Sequence, residues 1–264
     1  MAMTQELVFA LDIVRAAGAV ALEYFQGGVS ASWKSDNTPV TEADRRCERM
    51  IREAIAQRFP LDSILGEEEG ETKRNSPSGS GKSSRRKWIL DPIDGTYNFA
   101  RQIPIFATLL ALEEDDEVIL GIVHAPALGD TLWAERGRGA FKNGNPISVS
   151  NIDKLEETHF LFGEPDRIAG SAWQAGFDQL LAKTYRQRGF ADFLNFVYVF
   201  EGKAEAALEV GVNPWDLAPM KILAQESGGC FSDLQGGSSI YSRNCLVSNQ
   251  LIHQKILDIL GNPK

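Results

Sequence analysis

An apolar run that leads directly into two carboxylates is the feature that most constrains how this chain can fold. The stretch WILDPIDGTYNF begins at Trp88, and its first three residues are followed by Asp91 and then by Asp94. Carboxylates at the end of a buried strand are costly unless something neutralises them, because an unpaired charge in a low-dielectric interior is strongly unfavourable. The sequence therefore predicts either a basic partner or a bound cation at the end of this strand.

The composition excludes several classes of protein. A net charge of −9 argues against a nucleic-acid-binding protein that grips phosphates through a broad basic face. No apolar run approaches the roughly 20 residues that are needed to span a bilayer. The three cysteines are widely spaced, which is typical of reduced thiols rather than of a disulfide framework. We therefore expect a cytoplasmic protein that binds neither nucleic acid nor membrane.

Hydrophobic periodicity and turn residues predict a chain of mixed α and β structure. The acidic run EEDDE, residues 113–117, lies between two β-rich runs and is predicted to be a solvated hairpin turn. A helix is expected to begin close to Asp216, because Pro219 is tolerated only in a first turn. Residues 71–86 are rich in Gly, Ser and Pro and are predicted to form a flexible surface loop. The other helices are expected over residues 5–26, 41–58, 171–184 and 192–202.

Acidic residues stand at the ends of four predicted elements, and no histidine or cysteine cluster accompanies them. Taken alone, Asp216 is more simply read as the N-cap of its helix. Taken together, oxygen-only ligands favour a hard cation, Mg²⁺ more than Zn²⁺. The four segments are Thr41-Glu42-Ala43-Asp44, Gly66-Glu67-Glu68, Asp91-Pro92-Ile93-Asp94 and Trp215-Asp216.

The residues after Asp94 indicate the substrate. A glycine that follows a strand and precedes a short helical turn, as Gly95 does before Thr96, leaves backbone N–H groups free to bind an anion such as phosphate. The threonine hydroxyl can also pass a proton from an activated water to a nearby carboxylate. Two metal ions can together activate that water and stabilise the leaving oxygen. Hydrolysis of a phosphate monoester is the reaction that these groups fit.

Three motifs in order resemble the inositol monophosphatase superfamily, and the similarity extends over nearly the whole chain. They are GEEE at 66–69, WILDPIDGTYNF at 88–99 and NPWDLAPMKILAQESGG at 213–229. The resemblance implies a layered α-β-α-β-α sandwich, a homodimer, and a phosphomonoesterase that depends on two or three Mg²⁺ ions and is inhibited by lithium. We expect one compact unit of two lobes, in which residues 1–150 carry the metal and phosphate site and residues 151–264 complete it.

The resemblance also implies roles for individual residues. Asp44 and Thr96 would activate the attacking water, and the amides of Gly95 and Thr96 would hold the phosphate. Asp192 and Glu209 would contact the rest of the substrate, whereas the carboxylates next to Glu67 would only add negative potential. The metal ligands would be Glu67, Asp91, Asp94, Asp216 and the carbonyl of Ile93.

The branch of the superfamily determines the substrate. The segment SDNTPVTEADR, the Asn213-Pro214 pair before Trp215 and an acidic residue at Asp192 resemble histidinol-phosphate phosphatases. Glu209 also fits true inositol monophosphatases, so inositol 1-phosphate is the alternative substrate, and nucleotide 3′-phosphates rank third. A non-catalytic, metal-binding regulatory protein on the same fold is the alternative of another class. Loss of a metal ligand or of the threonine would favour that alternative, and this sequence keeps all of these residues.

Three other features are assigned no function. GSGKSS at 79–84 lacks the first glycine of a P-loop and follows no predicted strand. The adjacent basic residues are expected to be solvated. The three histidines are isolated in sequence and are expected to be structural or on the surface.

Overall fold

The computed structural model describes residues 3–28, 32–33, 39–73, 85–190 and 192–261. Within these ranges the helices are α1 (Gln5–Gly27), α2 (Glu42–Arg58), α3 (Thr96–Ala100), α4 (Pro165–Ile168), α5 (Gln174–Lys183), α6 (Asp192–Phe200), α7 (Pro214–Glu226) and α8 (His253–Gly261). The strands of the first half are β1 (Ser32–Trp33), β2 (Pro39–Val40), β3 (Ser63–Gly66), β4 (Gly70–Thr72), β5 (Arg86–Asp94), β6 (Ala107–Glu114), β7 (Glu117–Ala125), β8 (Asp130–Glu135), β9 (Ala140–Lys142) and β10 (Asn145–Ile147). Those of the second half are β11 (His159–Phe162), β12 (Arg186–Arg188), β13 (Ala206–Val210), β14 (Gly229–Ser232) and β15 (Asn244–Asn249).

Two sheets organise the chain. The larger has the strand order β10-β9-β8-β7-β6-β5-β3-β4, and the smaller has the order β12-β11-β13-β15-β14. Strands β1 and β2 form a separate antiparallel pair. The larger sheet draws on residues 63–147 and the smaller on residues 159–249. The division of the chain into lobes at residue 150 stays a prediction.

Successive side chains of the strands pack against different helices, so each sheet has helices on both faces. In β5, Trp88 and Leu90 pack into the cluster formed with α1 and α2, whereas Ile89 between them packs toward α6 and α7. In β13, Ala207 faces the same α6–α7 layer, and Leu208 faces the outer helices α5 and α8. Successive side chains of a strand point to opposite faces. The result is the predicted α-β-α-β-α sandwich, with α6 and α7 as the middle layer.

Several predicted elements are confirmed. Thr41 caps α2, and the side chain of Asp44 accepts the Thr41 N–H in return, which forms a capping box. The hairpin turn between β6 and β7 is formed by Asp115 and Asp116, both with positive φ, whereas Glu113 of the same EEDDE run is a buried residue of β6 and not solvated as predicted. Among the described residues, none of the helices is both long and apolar enough for a bilayer span.

The predicted loop over residues 71–86 is wrong at both of its ends. Gly70–Thr72 forms β4, because it pairs antiparallel with β3, and Arg86 already belongs to β5. The remainder of that loop, including the GSGKSS segment, lies in residues 74–84, outside the described residues.

The predicted start of α7 is also wrong. The helix begins at Pro214, so Pro219 lies in its second turn rather than in its first. Pro219 packs closely against Gly121 of β7 in the larger sheet. The contact is possible because Gly121 has no side chain: a Cβ there would lie 2.8 Å from the Pro219 Cα and 2.5 Å from the Ile222 Cγ2. Asp216 still falls in the first turn, as predicted, but as the partner of the N-cap Asn213 rather than as the cap itself.

Candidate active site

The parallel pairing of β3 with β5 brings two acidic segments side by side. Gly66 is in register with Leu90, so Glu67 and Asp91 follow at the carboxyl ends of neighbouring strands. All other strand pairs described in the larger sheet are antiparallel. The sheet therefore supplies Glu67 and Asp91 to one edge although a long segment of chain separates them.

A bulge in β5 lets Asp91 and Asp94 serve the same site. Asp91 pairs with Leu109 and Asp94 with Ala107, so β5 advances three residues while β6 advances two. In a regular strand, residues three apart point to opposite faces, and one extra residue corrects this alternation. The bulge is held by the Thr108 hydroxyl, which donates to the Pro92 carbonyl at 2.9 Å.

Helix α7 contributes the third carboxylate. The Asn213 N–H donates to Asp216 Oδ2 at 2.7 Å, which fixes that side chain at the start of the helix. One oxygen from each of Asp91, Asp94 and Asp216 can be chosen so that all three atoms lie within 4.8 Å of one another. The site thus combines residues from the end of a strand and the first turn of a helix.

The electrostatics of this cluster favour a cation. Burial, and then the negative charges of Glu67, Asp94 and Asp216, raise the pKa of Asp91 well above its ordinary value. Burial also raises the pKa of Asp94 well above its ordinary value and that of Asp216 to about 7. The charges that act most strongly on Asp91 are negative, so the basic partner left open by the sequence is not supported. Oxygen-only ligands are those that Mg²⁺ and similar hard cations prefer.

Thr96 and Asp44 lie beside the cluster. The Thr96 hydroxyl is 2.9 Å from the Ile93 carbonyl oxygen and 3.2 Å from Asp44 Oδ1. The other carboxylate oxygen of Asp44 accepts the Thr41 N–H at 2.8 Å. Burial raises the pKa of Asp44 to about 6. The capping box of α2 therefore fixes a carboxylate that has its second oxygen free to meet the threonine.

Gly95 gives the chain its sharp turn into α3. Its φ of 83° lies in the left-handed region, and a Cβ there would lie 2.8 Å from the Ile105 carbonyl oxygen and 3.0 Å from Asp192 Oδ2. Any residue with a side chain would be strained at this position. The close approach also places Asp192 next to the predicted phosphate-binding amides.

Asp192 and Glu209 form a second acidic group, outside the cluster of three aspartates. Asn98 donates to Asp192 at 2.7 Å, and Asn195 donates to Glu209 Oε1 at 2.8 Å. Burial, together with the negative charge of Glu164, raises the pKa of Asp192 to about 6 and that of Glu209 to about 8. Of these two predicted substrate residues, Asp192 lies close enough for its charge to raise the pKa of Glu209.

The sequence analysis did not identify several residues that support the site. Asn98 lies within the WILDPIDGTYNF motif, which could have drawn attention to it. Glu48 follows Asp44 by four residues and so lies on the same face of the helix, a spacing that could have identified it in the sequence. Asn195 gave no signal, because it stands in the strongly apolar helix α6 and no motif marks it.

Comparison with known proteins identifies the family. The sequence profile described as "Inositol monophosphatase family" matches residues 2–262. The chain belongs to the inositol monophosphatase family. Its predicted membership, its sandwich fold and its class as a phosphoric monoester hydrolase are thereby confirmed. The family is metal-dependent, which agrees with the donor chemistry of the carboxylate cluster.

Proteins similar to this chain are named for different activities. A histidinol-phosphatase of Chlorobaculum parvum is 38% identical over 262 residues, which cover 98% of each chain. A fructose-1,6-bisphosphatase/inositol-1-monophosphatase of Thermotoga maritima is also 38% identical, over 84% of this chain and 82% of its own. The crystal structure of the extragenic suppressor protein suhB of Bartonella henselae superimposes with a TM-score of 0.88 at 27% identity, covering 99% of this chain and 100% of that one.

Proposed function

We propose that the protein is a Mg²⁺-dependent phosphomonoesterase whose substrate is histidinol phosphate. The observation that carries the metal dependence is the convergence of the Asp91, Asp94 and Asp216 oxygens within 4.8 Å of one another. Three buried or half-buried carboxylates at that spacing repel one another unless protons or a cation neutralise them. Magnesium is held in proteins by a few carboxylates together with substrate phosphate, which matches this site.

The proposed ligands are the five groups expected from the family resemblance. Bound ions lower the pKa of a coordinated water and stabilise negative charge on the leaving oxygen. The Ile93 carbonyl oxygen accepts the Thr96 hydroxyl at 2.9 Å and has a second lone pair that a cation could use. The ligands are Glu67, Asp91, Asp94, Asp216 and the Ile93 carbonyl.

Thr96 and Asp44 are proposed to accept the proton of the attacking water. With a pKa of about 6, Asp44 is largely ionised at neutral pH and can act as a base. The Thr96 hydroxyl lies within hydrogen-bonding distance of Asp44 Oδ1 and can pass the proton on. The amides of Gly95 and Thr96, at the start of α3, are proposed to bind the phosphate.

The second acidic group is the reason for choosing histidinol phosphate. That substrate carries a cationic amine. Asp192 lies beside the proposed phosphate site at Gly95, and Glu209 is near enough to Asp192 for its pKa to be raised by that charge. A nearby cation favours the ionised form of a carboxyl group, so substrate and acidic pair would stabilise each other. The Chlorobaculum parvum protein named histidinol-phosphatase, similar over 98% of both chains, supports the same choice.

Two alternatives remain. Inositol 1-phosphate would use Glu209 as an acceptor for a substrate hydroxyl, and the Thermotoga maritima relative carries that activity in its name. A non-catalytic, metal-binding regulatory role is favoured by the structural similarity to a suppressor protein. The proposal further includes a homodimer, two or three ions per site and inhibition by lithium, each of which rests on the family resemblance, and a cytoplasmic location, which rests on the composition of the sequence.

The test is Mg²⁺-dependent phosphate release from a panel of substrates. Histidinol phosphate, inositol 1-phosphate, fructose 1,6-bisphosphate and adenosine 3′,5′-bisphosphate are compared by kcat/KM, with Asp94→Asn as the variant expected to abolish release while retaining the fold. We expect a preference for histidinol phosphate of at least about tenfold, which Asp192→Asn should reduce because a cation then loses its charged partner.

The other outcomes separate the alternatives. A preference for inositol 1-phosphate would replace the substrate and leave the metal site standing. No release from any substrate, together with normal Mg²⁺ binding, would support the regulatory role. Wild-type turnover by Asp94→Asn would remove Asp94 from the site.

A further inference from the structure

A buried ion pair on α2 lies directly behind the turn that carries Glu67. The Glu48 side chain is fully buried, and its Oε2 accepts the Glu68 N–H at 2.9 Å. Its Oε1 accepts the Glu69 N–H at 2.9 Å and the Arg52 Nε–H at 2.8 Å. One carboxylate thus binds both backbone amides that follow Glu67.

Arg52 binds the other end of the same turn. Its Nη2 donates to the Gly70 carbonyl at 2.5 Å, and its Nη1 donates to the Thr72 hydroxyl at 3.2 Å. Arg52 is itself nearly buried, with 7% of its surface exposed. The pair therefore holds the turn at residues 68 and 69 and the first residue of β4 beyond it.

The turn needs such support because of its own charge. Glu67, Glu68 and Glu69 are consecutive, and the Glu67 carboxylate also repels Asp91, Asp44 and Asp216. Without a bound cation, repulsion favours a turn that swings away from the cluster. Glu67 is not among the three carboxylates that converge within 4.8 Å, so its contribution depends on where the backbone of the turn is held.

Gly66 shows how closely the pair and the turn are fitted. A Cβ at Gly66 would lie 2.3 Å from Glu48 Oε1 and 2.7 Å from Arg52 Nη2. The absence of a side chain at Gly66 is what allows the carboxylate to reach the amides beyond it. Residues 44, 48 and 52 recur every four positions, so one face of α2 carries Asp44 at its start and this pair in the next two turns.

We infer that Glu48, neutralised by Arg52, is a positioning residue that holds the Glu67 turn where its carboxylate can bind the metal. This inference rests on the proposed function, in which Glu67 is a ligand. Because Asp44 and Glu48 belong to one rigid helix, α2 sets the position of the proton acceptor and of the Glu67 turn together. Removal of hydrogen-bond partners that orient a ligand typically weakens metal affinity by about 10–100-fold.

The test measures metal binding directly, without turnover. Mn²⁺ is titrated into the metal-free wild type and the variants Glu48→Gln and Arg52→Lys, and free Mn²⁺ is followed by electron paramagnetic resonance. Each variant places a mismatched group against the turn: the Gln amide nitrogen would face a backbone N–H, and Lys lacks the Arg fork. We expect Mn²⁺ affinity to fall about tenfold or more in both. The control is Glu53→Gln, an exposed carboxylate on the same helix, for which affinity should not change.

Parallel measurements distinguish the possible failures. If the variants melt at lower temperature but bind Mn²⁺ as tightly as the wild type, the pair is merely structural and the inference is wrong. If the wild type binds no Mn²⁺, or Glu67→Gln binds it normally, the proposed metal site or ligand fails instead. We also expect excess Mg²⁺ to restore most of kcat in Glu48→Gln, with KM for substrate nearly unchanged, since the chemical groups themselves remain.

Discussion

The Thr96 hydroxyl links Asp44 of α2 to the end of β5. Replacement by alanine removes the hydroxyl that lies 3.2 Å from Asp44 and 2.9 Å from the Ile93 carbonyl. We expect kcat for phosphate release to fall about 10²–10⁴-fold, the usual contribution of a positioned proton-transfer group. The free energy of unfolding should fall by only about 1 kcal/mol, since one hydrogen bond is lost.

Thr96→Ser is the matched control, because it keeps the hydroxyl and loses only a methyl group. Rates are compared at saturating Mg²⁺, and unfolding is followed by urea denaturation. Serine should restore most of the activity that alanine removes. Equal turnover in the wild type and Thr96→Ala would mean that the proton leaves by another route.

Individual site residues could be predicted from sequence where charge conflicts with burial. Asp91, Asp94 and Asp216 stand at the ends of apolar elements, and the structure brings them together. Glu48 could not be identified in this way, because an acidic residue within an amphipathic helix usually faces solvent. Its function depends on the Glu68 and Glu69 amides, which only the fold brings to it.

At the scale of elements, the contact between β7 and α7 determines where Asp216 lies. Gly121→Ala would place a Cβ 2.8 Å from the Pro219 Cα and 2.5 Å from the Ile222 Cγ2, so the helix has to shift. We expect a loss of about 1–3 kcal/mol in the free energy of unfolding, as for other overpacked sites. Because Asp216 moves with the helix, Mg²⁺ affinity should also fall, which isothermal titration calorimetry would measure.

Gly27→Ala serves as the comparison, since nothing lies within 4 Å of a Cβ at that position in α1. Its stability should stay within about 0.5 kcal/mol of the wild type. If Gly121→Ala bound Mg²⁺ as tightly as Gly27→Ala, the contact would not control the position of Asp216.

Most elements could be predicted from hydrophobic period and turn residues. Helices α1 and α6 begin at their predicted residues and α2 within one residue of it, but the start of α7 was misplaced. Pro219 suggested a helix that starts near Asp216, whereas α7 starts at Pro214. The start was misplaced because Pro219 is accommodated in the second turn of α7, where it packs against Gly121 of β7, a contact that the sequence does not show. The short strand β4 was missed for a similar reason, as only its pairing with β3 makes it a strand.

For the whole molecule, the buried carboxyl groups make stability depend on pH and on metal. Burial raises the pKa of Asp44 to about 6 and that of Asp216 to about 7, against about 4 in the unfolded chain. Between these values the folded state binds more protons than the unfolded state, so the metal-free protein loses stability as pH rises from about 4 to 8. Mg²⁺ binds the ionised carboxylates, so its stabilising effect should grow over the same interval.

Thermal melting with and without Mg²⁺, at pH 5 and at pH 8, checks this expectation. The increase in melting temperature on adding Mg²⁺ should be larger at pH 8, because a ligand that binds only the folded state stabilises it more as its dissociation constant falls below its concentration. Asp94→Asn should show little increase at either pH. A larger increase at pH 5 than at pH 8 would contradict the assignment of these carboxylates as ligands.

The separation of β5 from α7 along the chain has a consequence for biosynthesis. A growing polypeptide presents Asp91 and Asp94 long before it contains Asp216, the third member of their cluster. Until α7 is made and packs against the larger sheet, the two aspartates lack that carboxylate, and the middle helical layer is incomplete. We therefore expect ribosome-bound chains that stop before α7 to hold Mg²⁺ poorly and to hydrolyse nothing, so that phosphatase activity first arises when translation is nearly finished.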